Sequence, residues 1–325
     1  MRRRAFIALI AGATAVWPLV ARTETSRRLG LLLSTSAQAA KALGALEALI
    51  QGLQERGWIE GQNLTIEYRF ADGKEDILPK LAAELVRLRV DAIVTDSSAA
   101  IKALKNATQT VPIVAFSADP VASGFVSSLS RPGGNITGIS LLSADLAGRR
   151  LQLLSEMVPG LTRVSVLSNP INPSHFASLE QTQAAAQSLK IELHVAEARA
   201  PDLFESAFAA ISAARTGALI VLQDAMFSSE YLRLVAFAAT EHLPALFAEK
   251  GFVEAGGLMA YGPSIPVAFG GLAAYVDKIF RGANPAELPI EQPTTFEFAI
   301  NLKTAKMLGL NVPDKLLSTA DEVIE

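Results

Sequence analysis

The chain has no cysteine among its 325 residues, only three histidines and two tryptophans, and aromatic residues make up 6% of it. Without thiols there is no disulfide framework, no thiolate nucleophile and no cysteine metal site, nor a cysteine to carry the acyl anchor of a lipoprotein. The histidines, His175, His194 and His242, are far apart in sequence and none neighbours a nucleophile. HExxH, GxSxG, a Walker loop and GxGxxG are all missing. Asp72, Glu75 and Asp76 are spaced like a solvated charge cluster rather than a metal cage. No basic block follows the first residues, and the net charge is −3, so nucleic acid is not an expected partner. After Val20 no apolar run approaches the roughly 20 residues of a membrane span. The expectation is a protein that is not an enzyme, with no catalytic residues, no cofactor and no metal.

What is present begins with a leader. Arg2, Arg3 and Arg4 precede an apolar run from Ala5 to Val20, and the small or short residues Ala21 and Thr23 follow. This is the pattern of a bacterial export signal over residues 1–23. The run is short for a span and Pro18 interrupts its end. Arg3-Arg4-Ala5-Phe6-Ile7 also fits a twin-arginine signal, which leaves the export route open. The mature protein is expected free in the periplasm, where there is neither ATP nor an NADH pool to drive chemistry.

Half of the chain is apolar, enough for two ordinary cores. Short apolar runs at 29–33, 64–68, 92–95 and 113–116 alternate with helical stretches carrying Leu43, Leu46, Ile50 and Leu53, then Leu78, Leu81 and Leu85, then Ile101 and Leu104. Repeated βα steps argue for a parallel sheet covered on both faces. After the turn signal Arg131-Pro132-Gly133-Gly134-Asn135 and a strand at 136–140, the rhythm restarts with strands at 164–167, 192–196, 218–222 and 244–247. The tail carries a strand at 258–261, a helix marked by Phe269, Leu272, Val276 and Ile279, an extended piece at 288–291 and a helix at 302–308. That is too little for a third domain. It suits a chain that crosses back to the first lobe and returns. The expected architecture is α/β, two doubly wound parallel-sheet lobes joined by a three-crossover hinge, with 27–138 plus 262–285 as lobe 1 and 139–261 plus 286–325 as lobe 2.

Four segments carry a family resemblance: Gly57-Trp58-Ile59-Glu60-Gly61-Gln62-Asn63-Leu64, Arg131 to Gly138, Phe252 to Gly262, and Gln292-Pro293-Thr294-Thr295-Phe296-Glu297. The ending from Asn301 to Lys306 and from Ala320 to Glu325 joins them. Together they resemble the ABC-transporter substrate-binding proteins of the tryptophan/tyrosine-type group, over nearly the whole mature chain. The resemblance implies a type I periplasmic-binding-protein fold closing on a small ligand, an amino acid in most members of known ligand. It also implies a monomer that docks on an inner-membrane ABC permease. A ligand-presenting sensor of the same fold and an exported α/β enzyme are the rival readings.

In open α/β sheets ligands sit beyond the carboxyl ends of the strands. The first-lobe strand ends offer Ser34 and Thr35, Asp96 followed by Ser97 and Ser98, and Phe116 and Ser117 with Asp119 beyond; the second-lobe ends offer Ser168 and Asn169 with Asn172 nearby, Gln223 and Asp224, and Phe247 and Glu249. Of these, Ser34, Thr35, Ser97, Ser98, Phe116, Ser117, Asp119, Asn169, Asn172, Asp224, Phe247 and Glu249 are the candidate ligand-binding residues. Ser97 and Ser98 at a helix start suit a ligand carboxylate, because the free backbone N–H groups and the helix dipole favour anions; plain N-capping is the alternative. Asp224 suits a ligand ammonium through a charge-assisted hydrogen bond, and the resemblance implies an acid at that place; a capping aspartate is its alternative. Phe116, Phe227 and Phe247 are candidates to stack on a ligand side chain, or to fill the core. Asn169-Pro170-Ile171-Asn172-Pro173 is a stiff loop that supplies amides or only a turn.

Overall fold

The computed structural model describes residues 26–141 and 143–325. The expected export signal lies outside the described residues. In the first part of the chain the order is β1 (Arg27–Leu33), α1 (Ala37–Ala42), α2 (Ala45–Glu55), β2 (Leu64–Phe70), α3 (Leu78–Arg87), β3 (Ala92–Thr95), α4 (Ser98–Ala107), β4 (Ile113–Ser117) and β5 (Ile136–Ser140). The strands form a parallel sheet in the order β2-β1-β3-β4-β5. Next come α5 (Ser143–Met157), β6 (Arg163–Ser168), α6 (Ser174–Leu189), β7 (Glu192–Glu197), α7 (Phe204–Ala214), β8 (Ala218–Val221), α8 (Ala225–Ser229), α9 (Tyr231–Thr240), β9 (Ala245–Phe247), α10 (Lys250–Glu254) and β10 (Met259–Pro263). The tail adds α11 (Ile265–Phe280), β11 (Phe296–Asn301), α12 (Leu302–Met307), α13 (Asp314–Thr319) and β12 (Glu322–Ile324).

The second sheet runs β12-β11-β10-β9-β8-β6-β7. From β7 to β10 it repeats the order of the first sheet, so the two halves share one winding. Each sheet is sandwiched. Leu29, Leu31, Val94 and Val114 meet α2 and α11 on one face, while Leu32, Ile93, Ile113 and Ala115 meet α3 and α4 on the other. The second sheet divides its apolar residues between two cores in the same way. This alternation is what a sheet buried on both faces requires.

The chain passes between the sheets three times: between β5 and α5, between β10 and α11, and through 292–295 into β11. Strand pairing shifts the crossings from the expected positions. Ser140 still pairs with Ser117 of β4, and Glu291 bridges to Ile139, so 139–140 and 289–291 lie along the first sheet. Gly262 and Pro263 remain in the second sheet, paired to β11.

Other expectations change as well. The single helix expected through Leu43 and Leu53 is two, because Gly44 takes a left-handed conformation at φ 71° between α1 and α2. α5 is an addition, with Leu151, Leu153, Leu154 and Met157 in the core. The second sheet is not wholly parallel, since β10 and β11 pair antiparallel.

Candidate ligand-binding site

Both sheets point their carboxyl-terminal strand ends at a shared cavity of about 570 Å³, counted out into its open mouth. Thr35 comes from the end of β1, Asp96, Ser97 and Ser98 from the end of β3, and Phe116 and Ala118 from the end of β4. The second half supplies Asn172 beyond β6, Gln223 and Asp224 beyond β8, and Glu249 beyond β9. Ala40, Leu43, Leu141, Ile265 and Phe269 complete an apolar wall.

On the first-lobe side Asp96 organises the floor. Its carboxylate accepts from the Ser34 backbone N–H at 2.7 Å, the Thr35 N–H at 3.1 Å and the Thr35 hydroxyl at 2.9 Å. Burial pushes the Asp96 carboxyl up, and those three donors pull the other way. Ser97 caps α4, its Oγ accepting from the Ala100 N–H at 3.1 Å and hydrogen-bonding the Ser34 hydroxyl. Ser98 is buried, and its Oγ has no partner among the described residues. The start of a ten-residue helix thus stands at the cavity wall, with the Ser98 hydroxyl buried and unpartnered among the described residues.

On the opposite side Asp224 caps α8, with its Oδ1 accepting from the Met226 N–H at 2.9 Å. Its Oδ2 accepts from Asn172 Nδ2 at 2.8 Å and from Asn169 Nδ2 at 3.2 Å. His175 holds the loop behind it. The Asn169 N–H donates to Nδ1 at 2.8 Å, so Nε2 carries the proton and donates to the Gln223 carbonyl at 3.0 Å. Burial lowers the affinity of His175 for a second proton, although Asp224, 3.7 Å from Nε2, favours it. Glu249 accepts from the Ser228 hydroxyl at 3.0 Å. Burial raises its carboxyl to about 7; Ser228 and Gln223 oppose the rise, Asp96 adds to it, and Arg150 opposes it.

The expected residues sort by side-chain direction. Thr35, Ser97, Ser98, Phe116, Asn172, Asp224 and Glu249 face the cavity. Ser34 and Asn169 stand behind it as supports for Ser97 and Asp224. Ser117 is buried outside the lining. Asp119 accepts from the Val121 and Ala122 N–H groups at its own turn. Phe247 does not wall the cleft; it stacks on Phe252 in the second core, with ring centroids 4.6 Å apart. Phe227 is likewise buried, edge-on to Phe204. The aromatic wall is Phe116 with Phe269, 5.4 Å apart. Phe269 looked like a core residue of α11 in the sequence, and only the crossing just before that helix hints at its position. Nor does Glu75 belong to a solvated cluster. It is half-buried, and its Oε1 accepts from Asn169 Nδ2 at 3.1 Å across the cleft.

The two halves touch elsewhere too. The Ser36 N–H donates to Ser229 Oγ at 3.0 Å, and Leu43 packs on Gly251, where an added Cβ would collide with its Cδ2.

The family model for "ABC transporter substrate binding protein" matches residues 36–324. The chain belongs to this family. A tyrosine-binding protein of Clostridioides difficile strain R20291 is 25% identical over 272 residues, 82% of this chain and 76% of the relative. A conserved domain protein of Vibrio cholerae is similar in structure, with a TM-score of 0.85 and 27% identity over 92% of this chain and 99% of that one. So is a Streptococcus ABC domain in complex with L-Trp, with a TM-score of 0.82 and 22% identity over 91% of this chain and all of that one. These likenesses agree with the doubly wound α/β fold of type I periplasmic binding proteins. A substrate-binding protein for an ABC transporter needs a cleft between two lobes, and this cavity is one. No helix of the described residues is long and apolar enough to cross a membrane.

Proposed function

We propose that this substrate-binding protein captures an α-amino acid with an aromatic or branched apolar side chain, by closure of its two lobes, and hands it to an inner-membrane permease. The single observation that carries the reading is the polarity of the cavity. A helix N-terminus with the unpartnered Ser98 hydroxyl stands on the first lobe, the Asp224 carboxylate on the second, and Phe116, Phe269, Leu43 and Ile265 line the space with them. A carboxylate suits the first, an ammonium the second, and an apolar side chain the wall. The relatives that bind tyrosine and L-Trp support this ligand class. The leader-like residues 1–23 support work in the periplasm.

A ligand that binds only the native state raises the melting temperature. In a thermal-shift and calorimetric screen of the mature protein, at least one of L-tryptophan, L-tyrosine, L-phenylalanine and L-leucine should bind with a dissociation constant near micromolar, about −8 kcal/mol. The Asp224→Asn variant should weaken it at least tenfold. Stabilisation by sugars or nucleosides and by none of the amino acids overturns the reading.

A further inference from the structure

Among the described residues the cavity lining contains three acids, Asp96, Asp224 and Glu249, and no lysine, arginine or histidine. A fourth acid approaches from behind. Glu75 lies in a 3-10 turn at 75–77 of the first lobe, and the same amide nitrogen of Asn169 donates to its Oε1 at 3.1 Å and to Asp224 Oδ2 at 3.2 Å. One neutral amide therefore spans two carboxylates from opposite lobes. Resting on the reading that Asp224 receives a ligand ammonium, we infer that Glu75 determines specificity: it sets a second negative charge against Asp224 on closure, so that the lobes close fully only around a ligand with a cationic group.

The charges around Glu75 leave the pair undercompensated. Lys102 on α4 acts favourably on it, but that side chain is solvent-exposed. Lys74 and Asp76 beside it are exposed as well. His175, behind Asp224, is neutral in the hydrogen-bond pattern described above. Burial first, and Asp224 second, raise the Glu75 carboxyl to about 7, while Asn169 and Lys102 pull it down. Opening the cleft parts Glu75 from Asp224 and returns it towards its ordinary value of 4.5. The sign follows: above about pH 7 the closed, empty cleft holds an uncompensated charge, and as pH falls from 7 towards 4.5 the cost disappears. Above about pH 7 an ammonium on Asp224 offsets the part of that cost that comes from Asp224, while the burial of Glu75 remains. A ligand with a carboxylate but no amine leaves it uncompensated. This is selectivity by repulsion of the wrong ligand, added to attraction of the right one.

The test compares wild type, Glu75→Gln and Glu75→Ala at pH 8 and pH 5.5. Binding is measured for L-tryptophan and L-tyrosine and for their deaminated counterparts, indole-3-propionate and 3-(4-hydroxyphenyl)propionate. Small-angle scattering measures the radius of gyration of the empty proteins. At pH 8 both variants should narrow the preference for amino acid over deaminated acid by about tenfold, within the range of ordinary coupling. The gain should come from tighter binding of the deaminated acid. Both should also be more compact than wild type when empty at pH 8, with the difference shrinking at pH 5.5. An unchanged preference with unchanged radii overturns the inference. So does an equal loss of affinity for both ligand types, which would make Glu75 a plain tether. If wild type binds neither amino acid, the proposed ligand class fails, while the scattering comparison still decides whether Glu75 holds the empty cleft open.

Discussion

Ser97 and Ser98 stand side by side and do different work. Ser97 satisfies the Ala100 N–H and meets Ser34, whereas the Ser98 hydroxyl is buried without a partner. Removing a cap costs a helix about 1 kcal/mol, but removing a hydroxyl that bonds nothing costs the empty protein little. Ser97→Ala should therefore lower the melting temperature of the empty protein by about 2 °C, and Ser98→Ala should leave it within a degree. Ser98→Ala should instead weaken ligand binding about tenfold, the scale of one hydrogen bond to a charged group. Calorimetry and thermal melts on the two variants separate a capping serine from a contacting one. At this scale the sequence tells which residue types reach the strand ends but not where they point. Phe116 and Phe247 both close an apolar strand. Phe116 turns to Phe269 across the cleft wall, and Phe247 turns under Phe252 of α10. Glu75 was illegible for a related reason: its neighbours Asp72 and Asp76 are exposed, and only folding brings Asn169 across to it.

At the scale of elements, strand runs were readable because a sheet covered on both faces needs uninterrupted apolar residues, as in β1, β3 and β4. α5 was not readable, since its buried face includes Arg150, whose Nε donates to the Tyr261 carbonyl at 2.8 Å. Short α10 gave too few residues for a period, yet it carries an inter-lobe contact. Gly251 at its start leaves room for Leu43 of the other lobe. Alanine is the better helix former by up to about 1 kcal/mol, so Gly251→Ala should not destabilise the open, empty protein. In the closed form its methyl meets Cδ2 of Leu43, which must turn from its place in the cavity wall, at a cost of about 1 kcal/mol. The expected outcome is an unchanged or higher melting temperature without ligand and about tenfold weaker binding with it. Leu43→Ala in the same chain should restore part of the affinity, as a double-mutant cycle on directly touching residues can show.

Across the whole molecule, the arrangement joins a cleft rich in acid to a hinge holding a buried base. Arg150 sits on the first helix past one crossing, bonded to Tyr261 just before the next, with its Nη2 unpartnered among the described residues. Burial lowers the Arg150 guanidinium to about 10, with Glu249 and Tyr261 opposing, so it stays charged at neutral pH and favours the ionised form of Glu249. Ser228 and Arg150, which assist Glu249, lie with it on the side of the second sheet. The linkage has one sign. Below about 4.5 Glu249 is protonated whether the chain is folded or unfolded. Between 4.5 and about 7 the unfolded chain has lost a proton that the native carboxyl still holds, so stability falls as pH rises. Above 7 the penalty is constant, on the order of 3 kcal/mol at most. Glu249→Gln removes the titration, and its melting temperature relative to wild type should rise between pH 5 and pH 8. Arg150→Met should steepen the wild-type decline, because Glu249 then lacks its cation, and the Arg150→Met/Glu249→Gln pair should recover much of the loss. Melting curves of the four proteins across that range give the coupling directly. Parallel curves for wild type and Glu249→Gln would mean that Glu249 keeps its charge in native and unfolded chain alike, and that the cleft draws its pH response from the acids that meet across it.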